Sequence, residues 1–165
     1  MTRPPSRVRI RAADLTTQDA FTVGRLVRAY LVQTEQEKAE RGLAEVPGTL
    51  GLPDTYLPEV TETARAYDGY LALLAEMDGT AVGVAVVRSD APPAEIKRLW
   101  ADPEMRGRGI GAALLDAAIA ACPESVRLSV WDWRRPAIGL YESRGFERVE
   151  PWDPRPRLIC LQRAR

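Results

Sequence analysis

The chain contains no histidine. That excludes a Ser–His triad, imidazole acid–base work and His-ligated metal, and the sequence offers no other metal site. Proton transfer falls to carboxylates, tyrosine, lysine, cysteine or water. Lysine is nearly absent as well: among 23 basic residues only Lys38 and Lys97 are not arginine. The two cysteines, Cys122 and Cys160, are far apart and form no CxxC pair, so two reduced, partly buried thiols of a cytoplasmic protein are expected. Neither charge is in excess, with 23 basic and 23 acidic residues, which gives no reason to expect nucleic acid or a membrane surface as partner. No apolar run approaches membrane-spanning length. The segment Met1–Arg11 is basic and proline-containing but lacks the apolar stretch of a signal peptide.

What remains is a chain of 165 residues, 45% hydrophobic and 28% charged, expected to form one domain over residues 1–165. Val8–Ala12 alternates as a half-buried strand does. Thr16 or Thr17 can cap a helix whose stripe includes Phe21, Val23, Leu26, Val27, Tyr30 and Leu31. Its polar continuation, Glu35–Glu40, reads as a solvated face. Leu43–Leu57 is a long Pro- and Gly-containing loop, and Pro58 opens a helix reaching Tyr67. Leu71–Met77 and Thr80–Arg88 flank Asp78-Gly79, a strong hairpin signal. Glu95–Ala101 is a strand, Ile110–Ala121 a helix, Val126–Trp131 a strand and Pro136–Ser143 a short helix. Phe146–Glu150 and Arg157–Leu161 close the chain as strands. The order β-α-α-β-β-β-α-β-α-β-β predicts an α/β fold: a mixed, mostly antiparallel sheet with helices on its faces.

Between a strand and a helix lies Arg106-Gly107-Arg108-Gly109-Ile110-Gly111. Alternate glycines allow positive φ and close approach of a ligand, and a helix N-terminus points unpaired N–H groups into the turn. With two arginines beside it, this is a site for an anion such as phosphate, or else a glycine turn with solvated arginines. It is not a Walker A loop, since no Gly-Lys-Ser/Thr follows. A dinucleotide fingerprint is disfavoured, because Asp102–Met105 separates the glycines from the strand. Some 30 residues on, Tyr141 sits near the end of a short helix, ahead of Gly145-Phe146. It is either a core aromatic or a chemical group.

Together these segments resemble the GCN5-related N-acetyltransferase (GNAT) superfamily. The family's Arg/Gln-x-x-Gly-x-Gly/Ala motif matches Arg106–Gly111, and its Leu-Tyr-x-x-x-Gly-Phe motif matches Leu140–Phe146. The strand Glu95–Ala101 looks like the family's central strand. The specific resemblance covers about residues 94–150. It implies a sheet of about seven strands with four helices on its two faces, in which the two strands flanking the main helix splay apart.

The resemblance also implies direct transfer of acetyl from acetyl-CoA, as co-substrate, to a primary amine. The pyrophosphate would lie on Arg106, Gly107, Arg108, Gly109, Ile110 and Gly111. The pantetheine arm would pair with the backbone of Leu99, Trp100 and Ala101. Tyr141, at the matching family position, is the candidate acid for the CoA thiolate, and Glu95, where some members carry a glutamate, the candidate base through water. For Glu95 the alternative is an ion pair with Lys97 or Arg98. Glu76 and Asp132 are weaker candidates. Near the helix alanine, Ala137, many members carry an asparagine where this chain has Arg134. Arg134, Arg135 or Arg144 is thus placed to meet an adenosine phosphate or solvent. Homodimers are common in the family. The other readings are a non-catalytic acyl-CoA-binding or regulatory domain of the same fold, and a nucleotide-binding oxidoreductase. The acceptor amine is not legible.

Overall fold

In the computed structural model, which describes residues 6–45 and 47–165, the two hairpin strands carry the centre of the molecule. They are β2 (Leu71–Met77) and β3 (Thr80–Arg88), paired antiparallel. Asp78 and Gly79 both take positive φ, 50° and 78°, the paired left-handed conformation that a two-residue hairpin turn needs. β3 is apolar on both faces: Val84 and Val86 point one way, Ala85 and Val87 the other. A strand of that kind belongs in the interior, with helices on either side.

The sheet has seven strands in the order β1-β2-β3-β4-β5-β7-β6, with β1 Arg9–Ala12, β4 Ala94–Ala101, β5 Val126–Trp131, β6 Glu147–Arg148 and β7 Leu158–Arg163. Every pairing is antiparallel except β4 with β5. On one face lie α1 (Asp19–Glu40), α2 (Leu57–Thr61) and α3 (Thr63–Ala66); on the other lie α4 (Ile110–Ala120) and α5 (Arg135–Ser143). Val23, Leu26, Val27 and Leu31 of α1 pack on Leu74, Val84 and Val86. Ile110, Leu114, Leu115 and Ala118 of α4 pack on Ala75, Ala85 and Val87. The fold class expected from the element order is the one observed, and β2, β3 and β5 begin and end at the residues expected for them.

Three local readings need correction. The helix expected over Pro58–Tyr67 is two pieces, because Glu62 leaves helical geometry (φ −129°, ψ 45°). Helix α1 starts at Asp19 after an uncapped Gln18; Thr17 instead accepts the Asp19 amide one residue upstream. And Glu35–Glu40 is not simply a solvated face, since Lys38 is only 3% exposed and pairs with Glu35. Residues 1–5, part of the basic start, and Val46 of the long loop lie outside the described residues. Cys122 and Cys160 are free and buried. Among the described residues no helix is long and apolar enough to cross a membrane.

One glycine fixes how closely α4 approaches the sheet. A Cβ on Gly83 of β3 would come within 2.9 Å of Ile110 Cγ2 and Leu114 Cδ1 and 3.0 Å of the Trp100 carbonyl. All three positions are packed, and one is backbone. Gly83→Val is therefore expected to destabilise the protein by about 1–3 kcal/mol through overpacking. Chemical denaturation checks it; an unchanged midpoint would show that α4 is not seated by this contact.

Candidate active site

Strands β4 and β5 pair only over Ala94–Ile96 and Val126–Leu128. The register between β3 and β4 explains why they then part. Val87 faces Ile96 but Val86 faces Arg98, so Lys97 is an extra residue in β4. Such a bulge bends its strand and increases its twist. Beyond it the main chain of Leu99–Ala101 has no strand partner on the β5 side. The opening is a cleft of about 490 Å³, walled by β4, the end of β5, α5 and the polar half of α1.

The cleft runs to the start of α4. Gly107 and Gly109 take φ 75° and 74°, and Gly109 stands as a left-handed N-cap. Among the described residues the amides of Gly107–Ala112 have no main-chain or side-chain acceptor; Ala113 is the first whose N–H finds one, the Gly109 carbonyl at 3.0 Å. Six consecutive unpaired donors at a helix N-terminus, with Arg106 and Arg108 exposed beside them, form an anion cradle. Gly111 faces the cleft, and a Cβ there would meet only Leu140 Cδ2 at 3.9 Å. The fold itself would accept a side chain at 111. The glycine leaves room instead for something in the cleft.

Tyr141, on α5, lines the same cleft and is 7% exposed. Its ring leans on Phe146, centroids 6.0 Å apart, so both readings of this residue meet in one side chain. Its hydroxyl has no hydrogen-bond partner among the described residues. Burial pushes the phenol well above its ordinary pKa, the nearby Tyr30 adds to this, and Arg134 partly opposes it. A phenol so placed stays protonated at any ordinary working pH.

Of the site residues expected from the sequence, Leu99, Trp100, Ala101, Arg106, Gly111, Arg134, Ala137 and Tyr141 all line this cleft. Arg134 does so as a strut. Its Nε and Nη2 donate to Glu37 Oε2 at 2.9 and 2.6 Å, Nη2 also reaches Thr34 Oγ1, and the group lies over the Tyr30 ring. It holds α5 to α1 and is not free for a phosphate. Arg144 is outside the cleft, paired with Asp116 on the surface of α4. Glu95 is also outside it. Its carboxylate accepts from Arg88 at 2.9 Å and Arg127 at 3.5 Å, the residues directly opposite it on β3 and β5, rather than from Lys97 or Arg98. Cross-strand neighbours face each other where sequence neighbours do not. Glu76 and Asp132 are paired elsewhere, with Arg11 and Arg157.

Reading the sequence missed Gln33, Thr34 and Glu37 of α1. Glu37 accepts from Arg134 and from Trp133 Nε1, and its other oxygen from Gln33 Nε2. Burial alone would raise its pKa; the Arg134 charge and these hydrogen bonds outweigh burial and hold it below the usual carboxylate range. Gln33 also accepts from Trp100 Nε1. The spacing Tyr30, Gln33/Thr34, Glu37/Lys38 continues the buried stripe by one helical period, and that was the available signal.

A second cavity of about 470 Å³ opens on the other side of the splay, between α2–α3 and the β6–β7 loop. It holds Glu95, Glu59, Tyr67 and Trp152. Lys97 and Ser129 line both cavities and so mark the passage between them.

Comparison with known proteins agrees with this geometry. A family model described as the acetyltransferase (GNAT) family matches residues 32–146. The sequence is 27% identical to an uncharacterized N-acetyltransferase of Schizosaccharomyces pombe over 169 residues, 96% of this chain and 95% of the relative. A GNAT-family acetyltransferase of Staphylococcus aureus Mu50 superposes with TM-score 0.70 at 19% identity, covering 96% of this chain and 99% of its own. The PaiA N-acetyltransferase of Thermoplasma acidophilum, solved with coenzyme A, does so with TM-score 0.68 at 19% identity and the same coverage. The structural neighbours share the fold, and the family model spans well over half of the sequence; the chain belongs to the acetyltransferase (GNAT) family.

Proposed function

We propose that the protein is an acetyl-CoA-dependent N-acetyltransferase that passes the acetyl group directly to a primary amine. One observation carries this: the row of amides at Gly107–Ala112, without acceptors among the described residues, borders at Gly111 the same cleft that Tyr141 lines. The first binds a pyrophosphate and the second gives a proton to a leaving group. On this reading the donor lies along Leu99–Ala101, whose main chain lacks a strand partner on that side, and Arg106 and Arg108 screen the phosphates at the rim. The two free, buried thiols accord with a cytoplasmic protein.

The chemistry then needs three transfers. The acceptor nitrogen forms a bond to the thioester carbonyl carbon, the carbon–sulfur bond breaks, and the nitrogen loses a proton. Glu95, in the acceptor-side cavity, takes that proton through an intervening water; its Oε2 receives Arg88 and Arg127, which leaves Oε1 to accept from the water. Tyr141 gives its proton to the departing thiolate. Burial that makes the phenol a weaker acid makes a thiolate leaving into the same dry cleft a stronger base, so the transfer stays matched.

Three outcomes are expected. Tyr141→Phe lowers kcat for thiol release from acetyl-CoA about 10²-fold or more while acetyl-CoA still binds, as titration of the variant will show; an unchanged kcat removes Tyr141 from the chemistry. Gly111→Asp puts a carboxylate at the cradle without disturbing packing, so CoA affinity falls at least about tenfold while the melting temperature holds, and unchanged affinity would overturn the pyrophosphate assignment. The same carboxylate at Gly109 is a poorer test, since positive φ adds backbone strain. Finally, because the Tyr141 phenol is raised, kcat has no alkaline limb due to loss of its proton below about pH 10, the ordinary tyrosine value. A limb near neutrality that vanishes in Tyr141→Phe would contradict this.

A further inference from the structure

The acceptor-side cavity has an unusual charge arrangement: each carboxylate in its wall is already held by arginine. Glu59 accepts from Arg98 Nε and Nη2 at 3.0 and 2.8 Å and from the Tyr67 hydroxyl at 2.6 Å. Asp153 accepts from Arg155 Nε and Nη2 at 2.9 and 2.8 Å. Glu95 receives two arginines, Arg88 and Arg127. Each carboxylate of this wall thus already has an arginine counter-charge, both arginines of Glu95 meeting its Oε2.

The unmatched group is a cation. Lys97 has no acceptor for its ammonium among the described residues. It is the bulged residue of β4 and lines both the cleft and the acceptor cavity, so its charge stands at the passage between them. Behind Glu95, the Arg127 Nε is buried without a partner, which adds to the positive side. A polyamine or other multiply cationic acceptor would meet ion pairs already closed at Glu59 and Asp153, and beside them the Lys97 charge. An acid group would be drawn to Lys97.

Resting on the acetyltransferase reading, we propose that the acceptor is an α-amino acid, its carboxylate held by the Lys97 ammonium and its amine, one carbon away, directed through the passage into the cleft. The spacing follows from the position of Lys97. An anchor at the junction can hold a carboxylate only if the amine is its near neighbour, while the side chain is left to the roomier part between Tyr67 and Trp152. The cavity, at about 470 Å³, holds a molecule of that size. The positive surroundings also favour loss of the ammonium proton before attack.

The test uses the full chain, acetyl-CoA and matched acceptors: the proteinogenic α-amino acids, their primary amides, the amines lacking the carboxyl group, and spermidine. For the best amino acid, kcat/KM is expected to exceed that of its amide by at least about tenfold, the scale of a hydrogen bond to a charged group. Lys97→Met should bring this acid-to-amide ratio to about one, and Lys97→Arg should restore it; a general loss of structure would leave the ratio unmoved. A wild-type ratio near one, a ratio unaffected by Lys97→Met, or turnover of spermidine but not of amino acids would each overturn the proposal and leave the acetyltransferase reading standing. Turnover of no amine at all, with acetyl-CoA still bound, would overturn both.

Discussion

The parting of β4 from β5 governs the rest of the structure. Three residues on each strand pair, and then the extra residue Lys97 turns β4 away. A parallel pair inside a sheet covered on both faces has no reason to separate unless something occupies the gap, because unpaired main-chain groups away from water are costly. Here the gap is lined by a free strand edge, a row of free helix amides and one buried phenol. The same bulge places Lys97 between the two cavities. One inserted residue thus creates the cleft, frees the main chain along it and sets a charge at its far end.

Packing elsewhere serves to hold that opening in shape. Gly83 lets α4 lie close on the sheet, which brings the N-terminus of α4 to the cleft. From the other face, Arg134 clamps the start of α5 to Glu37 and Thr34 of α1. Trp133 stacks on Trp131, centroids 4.9 Å apart, beneath the Arg41 guanidinium. The far end of α5 is held separately, by Arg148 on Glu142 and by Arg163 on the Arg144 carbonyl, so Arg134 fixes the end of the helix nearest α1. The arginine richness of the chain is put to structural use here, where a planar fork bridges two elements.

Local patterns made most of the fold legible in the sequence. Alternation marks β1 and β5, Asp78-Gly79 marks the hairpin of β2 and β3, and the glycines of Arg106–Gly111 mark a helix N-terminus open to an anion. What escaped notice depends on partners distant in sequence. Glu95 was given neighbours along its own strand, but a strand residue meets those across the sheet, and the pairing of β3, β4 and β5 decides which. Arg134 reads as an exposed cation next to Arg135, yet its partner Glu37 is almost a hundred residues away. Lys97 drew attention only as a partner for Glu95, because a bulge shows itself in the register between strands and leaves no mark in the composition of one.

The absence of histidine bears on how protons move. What the site has instead is a phenol that burial keeps protonated and carboxylates paired with arginine, with no imidazole to take and give a proton within one turnover. On the proposed reading the two duties are separated in space, with donation from Tyr141 on the cleft side and acceptance, through water, on the acceptor side. A cation at the passage fits that division. On the proposed reading it would lower the proton affinity of an amine beside it, so that a weakly basic relay would suffice.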